Sequence, residues 1–246
     1  MAKAAPAEQL RLLDVAQLDS QITKLKRSIT EASKDSDLDA AVAQHAESAA
    51  ALTEVSARLS AATQGLKESE LAVEKVVAHI NKDQDRIDRN AGSASDMMAL
   101  SHEIETLTVR RNELEDHELE LMGELEEIQA EHDAASAFLA THAEEVANHT
   151  ARRDASVATL TRELAATENT RKDLAATFDE VLIGAYERVR SRGGIGAARL
   201  FHGTSEASGI ALAAGDLAEI RAAAADDIVY CPDSGAILVR NSEWGS

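Results

Sequence analysis

The chain has few aromatic residues, prolines and cysteines, and each shortage excludes a class of protein. Aromatic residues make up 2% of its 246 residues, and it holds 2 prolines and 12 glycines. This composition favours long helices over a thick globular core. The single cysteine, Cys231, excludes an intramolecular disulfide and is typical of a reducing compartment. An apolar signal segment and a run of about 20 apolar residues are both lacking, so we expect a cytoplasmic protein without membrane contact.

Negative charge dominates the sequence. Aspartate and glutamate number 44 against 25 lysines and arginines, which gives a net charge of -19. Such a surface repels phosphate backbones, so binding of nucleic acid requires a local basic patch.

Two heptad series, separated by a polar break, organise the first two thirds of the chain. A repeat that averages 3.5 residues is typical of a coiled coil, and two series joined by a short break predict an antiparallel helical hairpin. The break, with the apex of the hairpin, is expected at residues 90–95. The first series is Leu38, Val42, His45, Ala49, Leu52, Ser56, Leu59, Thr63, Leu66, Glu70, Val73, Val77, Ile80, Gln84 and Ile87. The second is Leu100, Ile104, Leu107, Arg111, Leu114, Glu118, Leu121, Leu125, Ile128, His132, Ala135, Leu139, His142, Val146 and His149.

The same pattern predicts the helix boundaries. A short first helix is expected over 7–32, an outgoing helix over 37–90 capped by Ser36, and a return helix over 96–191 capped by Ser95. Beyond His149 two successive intervals of four residues interrupt the alternation of four and three, which predicts a stutter in the coiled coil. The seam that follows, from Leu160 to Ala185, could receive the first helix. Residues 1–192 therefore form one expected helical domain.

Residues 193–246 differ in character and predict a small α+β module. Glycines at 193, 194 and 196 end the helical pattern. Two apolar runs, 228–231 and 236–239, flank a Pro-Asp-Ser-Gly turn and predict a β-hairpin. Asp216 and Glu219 predict a short helix that ends near residue 225. The fold class is thus mainly α, a long antiparallel coiled-coil hairpin with a small C-terminal module.

Three stretches of the chain, at 12–19, 98–115 and 228–238, resemble a bacterial family of helical-hairpin proteins that end in a C4-type zinc ribbon. The resemblance covers nearly the whole chain, and the terminal Cys231-Pro232-Asp233-Ser234-Gly235 is its most specific part. It implies a ribbon-like shape for the C-terminal module. It also implies partners in transcription or gene regulation, because family members are linked to an alternative sigma factor, to messenger RNA and to secretion or flagellar assembly.

The chain departs from this family at the zinc ligands. In the family each of two Cys-x-x-Cys knuckles supplies two thiolates. The corresponding positions here are Ser205, Ser208, Cys231 and Ser234. A serine hydroxyl is a poor zinc ligand, so we expect a degenerate ribbon with no metal and no other cofactor. A substitute site of His202, Cys231 and Asp233 is the alternative, although their spacing does not require it.

One basic cluster interrupts the acidic background. Its members, Arg188, Arg190, Arg192 and Arg199, surround the glycines and are called here the arginine neck. The neck could bind a phosphate backbone, neutralise the helix dipole, or pair with the acidic module. His142 and His149 lie on one stripe and are interpreted as polar coil layers, with a pH-sensitive seam as the alternative.

No catalytic constellation is legible, so an enzyme is not expected. The leading hypothesis is a cytoplasmic interaction or scaffold protein that presents a metal-free ribbon-like module to a partner protein, with a link to transcription or gene regulation. The alternative is a nucleic-acid-binding regulator that acts through the arginine neck. The heptads could also pair between chains, so a homo-oligomer is a further possibility.

Overall fold

The computed structural model describes residues 3–240, which fold as five helices and one four-stranded sheet. Contacts divide them into two compact units, residues 35–151 and residues 3–34 with 152–240, called here the hairpin unit and the base unit. Residues on both sides of the expected boundary at 192 lie in the base unit, and that boundary stays a prediction. The elements are α1 Pro6–Ala32, α2 Ser36–Asp88, α3 Ala94–Ala175, α4 Glu180–Arg190, β1 Ala197–Phe201, β2 Thr204–Ser205, β3 Ile210–Ala211, α5 Ala214–Ala222 and β4 Ile237–Arg240.

The hairpin unit contains α2 and the first part of α3, so the predicted helical hairpin is confirmed. Both predicted caps are wrong by a residue or two. Asp35, rather than Ser36, accepts bonds from the N–H groups of residues 37 and 38, both 3.1 Å. Ser93, rather than Ser95, forms a reciprocal box with Asp96. The Asp96 carboxylate accepts from the Ser93 N–H at 2.8 Å, and the Ser93 hydroxyl oxygen accepts from the Asp96 N–H at 3.2 Å.

Burial along the helices tests the two predicted heptad series. Every α3 position of the second series is at least half-buried, and the spacing of the stutter continues through Arg153, Val157 and Leu160. On α2 every second position of the first series is correct, from Leu38 to Ile87. At four of the other positions, Val42, Thr63, Glu70 and Gln84, the predicted residue is exposed, and the residue before it (Ala41, Ala62, Ser69 or Asp83) is the buried or half-buried one. At the remaining three, Ala49, Ser56 and Val77, the predicted residue is half-buried, as is the residue before it.

This correction on α2 has a simple geometric reason. One residue rotates a helix by about 100°, so the predicted Val42 points outward and is 49% exposed. The four-three and three-four spacings fit the same average repeat, and pairs such as Ser48 and Ala49 or Val76 and Val77 are alike in character, so hydrophobicity alone did not separate the two candidate positions. The polar residues of the α2 seam therefore include Ser48, Ser56, Ser69 and Asp83, whereas the predicted Thr63, Glu70 and Gln84 are exposed.

The return helix does not continue to residue 191, contrary to the prediction. It ends at Ala175, and α4 begins at Glu180 with Asp179 as its N-cap, whose carboxylate accepts from the Val181 N–H at 2.8 Å. Phe178, between the two helices, is buried in the core of the base unit. The break has neither proline nor glycine, so periodicity alone could not reveal it.

In the base unit, α1 packs against α4, against the sheet and against the C-terminal end of α3. Its larger core combines Leu12 and Val15 of α1 with Leu182 and Tyr186 of α4, together with the strand residue Ile237. This packing confirms that the first helix lies against the seam predicted from Leu160 to Ala185. The ion pair between Lys26 and Glu168, at 2.9 Å, adds a polar contact between α1 and α3.

The sheet has the order β3-β2-β1-β4, with β1 and β4 parallel. The predicted hairpin of 228–231 with 236–239 is therefore incomplete, since one antiparallel bridge joins Tyr230 to Ile237 while β4 pairs along its length with β1. The short predicted helix begins two residues earlier than Asp216, and its N-cap, Ala213, makes no side-chain bond.

The side chain of Arg240, in β4, forms hydrogen bonds with the C-terminal end of α5 and the residues that follow it. Its guanidinium donates to five backbone carbonyls, at distances from 2.7 to 3.3 Å. These carbonyls belong to Ile220, Ala223, Ala224, Ala225 and Asp227. One side chain thus satisfies acceptors that the end of a helix leaves without partners.

Among residues 3–240, no helix has the length and hydropathy that a membrane span requires.

Candidate functional site

The two serine-containing knuckles share one backbone geometry. In the first, the Gly209 N–H donates to the Ser205 carbonyl at 2.8 Å, and in the second the Gly235 N–H donates to the Cys231 carbonyl at 2.9 Å. Both glycines are left-handed, with φ of 70° and 71°, which favours glycine because it has no Cβ. The side chains repeat as well.

In each knuckle the fourth residue is a serine whose hydroxyl oxygen accepts from the N–H two residues later. The bond to Ser208 measures 3.3 Å and the bond to Ser234 measures 3.4 Å. The two loops therefore have the same hydrogen-bond pattern, although their sequences share only serine and glycine at the last two positions.

The Cys231 thiol is buried between the knuckles. Burial raises its pKa, but the hydroxyls of Ser205 and Ser234 and nearby backbone N–H groups lower it, and the net pKa lies below the ordinary value. The Ser205 hydroxyl is completely buried and makes no hydrogen bond of good geometry with any residue in 3–240, so its contact with the thiol is weak. The structure thus brings three of the four predicted ligand positions to one place.

These residues do not fit a zinc ion. Structural zinc sites use thiolates and imidazoles, whereas this cluster offers one thiol and neutral hydroxyls that do not ionise readily. The substitute site is not formed either, because in the described part of the chain His202, Cys231 and Asp233 do not bring their ligand atoms within 4.8 Å of one another. His202 instead lies against Phe201, with ring centroids 4.1 Å apart.

The arginine neck is divided by the structure. Arg190 belongs to a buried network around Asp19 of α1, since its Nε lies 3.2 Å from the Asp19 carboxylate. The Tyr186 hydroxyl donates to the same carboxylate at 2.7 Å, and Arg171 of α3 contacts it at 3.2 and 3.3 Å. Burial, then the bond to Asp19, raises the pKa of Tyr186 well above its ordinary value. Arg190 is therefore committed to the fold.

The other members of the neck remain on the surface. Arg188 of α4 and Arg192, two residues beyond the end of that helix, line a cavity of about 350 Å³ with Tyr230 and Gly235, called here the basic notch. Their side chains make no ion pair within residues 3–240. Arg199 is exposed on β1.

A second cavity, of about 360 Å³, lies between α5 and the chain that leads to the second knuckle. It is called here the acidic groove, because Asp216 and Glu219 stand beside an apolar lining of Ile220, Ile228, Val229 and Pro232. Tyr230 lines this groove as well as the basic notch, and 44% of its surface is exposed. Cavities of opposite charge therefore meet at one exposed aromatic side chain.

The seam histidines form polar layers in the hairpin unit. His142 Nδ1 lies 2.7 Å from the Ser48 hydroxyl on the facing helix, which makes this layer a hydrogen-bonded pair. His132 lies on the half-buried stripe of α3 beside Asp133, at 3.5 Å.

Sequence reasoning missed Asp19, the acidic groove and the role of Arg240. Asp19 follows Leu12 and Val15 and precedes Ile22 on the buried stripe of α1, so a carboxylate at a core position was the available signal. The groove had no such signal, because its lining comes from α5 and from a segment that is not regular strand.

Comparison with known proteins gives a consistent assignment. Residues 15–194 match the description "CT398-like coiled coil hairpin domain". Two Mycobacterium tuberculosis proteins, named uncharacterized protein MT2288 and uncharacterized protein Rv2229c, are each 32% identical over 252 residues, which cover 97% of both chains. None of these descriptions names an enzyme or a zinc ribbon.

Two solved structures are similar to this chain. A Mycobacterium smegmatis protein is 31% identical with a TM-score of 0.67, and the match covers 97% of this chain and 100% of that one. CT398 from Chlamydia trachomatis is 18% identical with a TM-score of 0.58, covering 95% of this chain and 97% of that one, which shows a shared fold alone.

Proposed function

The chain belongs to the family of the CT398-like coiled coil hairpin domain, and from that premise we propose that it is a non-enzymatic interaction protein. Its C-terminal module docks a partner protein across the surface around Tyr230. The observation that carries the proposal is the exposed tyrosine between the acidic groove and the basic notch. Tyrosine and arginine, with tryptophan, are enriched among the residues that contribute most to protein binding.

Charge defines the partner that this surface fits. Asp216 and Glu219 attract a basic segment on one side of Tyr230, while Arg188 and Arg192 attract an acidic segment on the other. A protein segment that carries an apolar side chain between basic and acidic residues satisfies both cavities. A nucleic acid satisfies only the notch, because its phosphates are repelled by the groove.

The identity of the partner rests on the resemblance described for the sequence. On that basis we propose a partner from transcription or gene regulation, with docking in the cytoplasm. We propose that this docking needs no metal in the knuckles, and the backbone bonds and serine hydroxyls that hold the two loops support that proposal.

Affinity co-purification from native cytoplasm tests the proposal. The bait is the full chain, compared with Tyr230→Ala and with the double variant R188E/R192E. The matched controls are Phe138→Ala, which removes an exposed aromatic ring from the hairpin unit, and R110E/R162E, which reverses the charge of two exposed arginines on α3. Each eluate is analysed with and without nuclease.

We expect a protein that the full chain and both controls retain, that both surface variants lose, and that nuclease does not release. Loss of the partner with nuclease would contradict the proposal and favour the nucleic-acid alternative. That alternative also predicts steep weakening with salt and loss of binding in R188A/R192A/R199A, a variant that leaves Arg190 in its structural network. Partner binding that survives Tyr230→Ala would refute the surface assigned here.

A further inference from the structure

A buried carboxylate in the seam of the hairpin unit has one oxygen without a hydrogen bond. Asp83 occupies an inward position of α2 and is 2% exposed. Its Oδ1 lies 3.6 Å from Arg86 Nη1, but its Oδ2 accepts no hydrogen bond from any residue in 3–240. Burying a charged oxygen without a partner is costly, so this atom requires a cation or a donor.

Two further ligand-type side chains converge on that oxygen. His79, one helical turn earlier on α2, places Nε2 at 3.4 Å from Asp83 Oδ2. Glu103 of α3 places Oε1 at 3.7 Å from the same imidazole nitrogen. The three ligand atoms lie within 4.8 Å of one another, and the two outer side chains are half exposed, which leaves a route for an ion.

We propose that His79, Asp83 and Glu103 form a binding site for a divalent transition-metal ion of the zinc class. The donors are one imidazole nitrogen and two carboxylate oxygens, and water completes the shell. An imidazole excludes magnesium and calcium as the preferred ions, since those ions select oxygen donors. Zinc accepts this mixed set and is open to water when the protein supplies three ligands.

The spacing of the donors agrees with this ion. Zinc bonds to nitrogen and oxygen of about 2.0–2.1 Å in a tetrahedral shell separate neighbouring ligand atoms by about 3.4 Å. The imidazole nitrogen lies 3.4 and 3.7 Å from the two carboxylate oxygens, close to this value, and the two oxygens lie within 4.8 Å of each other, so that half-exposed Glu103 and His79 must move inward to complete the shell. An octahedral shell with the same bonds would bring the ligands to about 2.9 Å, which is a poorer fit.

The bound ion would cross-link α2 and α3 close to their connecting turn. His79 and Asp83 are one turn apart on α2, so they present a common face, and Glu103 comes from the facing helix. An ion held this way neutralises the buried carboxylate and fixes the local pairing of the helices. The site is therefore a structural clamp rather than a catalytic centre.

A second group in the hairpin unit has donor types of the same kind but lacks the unpartnered oxygen. It consists of Asp35, Asp37 and His149. The Asp35 carboxylate already accepts from two backbone N–H groups as the cap of α2, and Asp37 is exposed. This group carries no proposal and provides a control.

Titration of the metal-stripped full chain with zinc chloride, followed by calorimetry, tests the site. We expect one equivalent of zinc to bind to the wild type and affinity to fall by more than tenfold in H79A and in E103Q. The matched control H117A removes an exposed histidine that pairs with a glutamate on α3, and it should bind as the wild type does. The variants H149A and C231S should also leave binding unchanged, because they remove the two other candidate donor sets.

A thermal melt followed at 222 nm provides the second measurement. Zinc should raise the melting temperature of the wild type and of H117A, but not that of H79A, because only a site that binds the folded hairpin stabilises it. Both His79 and Glu103 are half exposed, so their variants are expected to fold. Unchanged binding in H79A, loss of binding in C231S or H149A, or a wild type that binds no stoichiometric zinc would each overturn the proposal.

Discussion

Removing the carboxylate of Asp19 should destabilise the base unit more than any other single change to a polar side chain. Asp19 is 8% exposed and joins three helices, because Tyr186 and Arg190 of α4 and Arg171 of α3 all contact its oxygens. In Asp19→Ala the buried Tyr186 hydroxyl and two guanidinium groups lose their shared acceptor. Breaking a buried charge network in this way costs about 3–5 kcal/mol.

The assay must separate the base unit from the hairpin unit. Both tyrosines of the chain, Tyr186 and Tyr230, lie in the base unit, so the tyrosine bands of the near-ultraviolet circular dichroism spectrum follow that unit alone in a W244F background. With a urea m-value of about 2 kcal/mol/M, the expected loss moves the tyrosine transition by about 1.5–2.5 M. The conservative variant Asp19→Asn keeps one acceptor oxygen and should lose about half as much.

The matched control is Asp14→Asn, which changes an exposed carboxylate on the same helix. Its tyrosine transition should stay within about 0.5 kcal/mol of the wild type, as is usual for surface substitutions. If Asp19→Ala also stays within that interval, the network contributes no net stability and the reasoning is refuted.

Three other predictions concern the cap, the knuckles and the turn. Arg240→Ala should lower the free energy of unfolding of the base unit by about 2–3 kcal/mol, because five carbonyls lose a charged donor. The control R162A should leave this free energy unchanged, and urea unfolding followed by the tyrosine signal measures both variants. Restoring thiols at the three knuckle serines, in an H79A background, should create a site that retains one zinc per chain by metal analysis, and failure to do so would show that the knuckles do not converge as described. The Ser93 N–H, then its hydroxyl, holds the pKa of the Asp96 carboxyl below its ordinary value. The stabilisation from Asp96 is therefore complete above the ordinary aspartate pKa of about 3.9 and is lost as pH falls through the lowered pKa. The variant D96N should remove this contribution to the acid dependence of unfolding, measured by circular dichroism at 222 nm. An unchanged acid dependence would contradict the role assigned to Asp96.

The sequence was most informative where one helix carried a strong apolar stripe. On α3, leucine and isoleucine recur at the inward positions, so the seam and its stutter could be predicted residue by residue. On α2 the second inward position often holds alanine or serine, and neighbouring small residues satisfy the same average repeat. Whether Ala41 or Val42 points inward depends on the position of the facing helix, which the apolar pattern of α2 alone does not specify.

The base unit was harder to predict because its elements are defined by distant partners. β1 is a strand because β4, some 40 residues later, pairs with it in parallel. The break between α3 and α4 occurs where Phe178 packs into a core to which α1 contributes. The knuckles were different, since their shared glycine position is local, and the aligned loops have matching hydrogen bonds. Asp19 was missed because only apolar residues were used to trace the stripe of α1.

The parallel pairing of β1 with β4 has a consequence for the order in which the chain can fold during synthesis. The stripe of α1, complete at residue 32, finds part of its core only when residues 237–240 have been made. At about 5–20 residues per second, the part of the α1 face that β4 covers waits on the order of 10–40 s for its partner. The hairpin unit needs nothing beyond residue 151 and can form in the meantime. Nascent chains stalled between these two points should therefore carry a folded hairpin and an α1 that is open to chaperones and proteases.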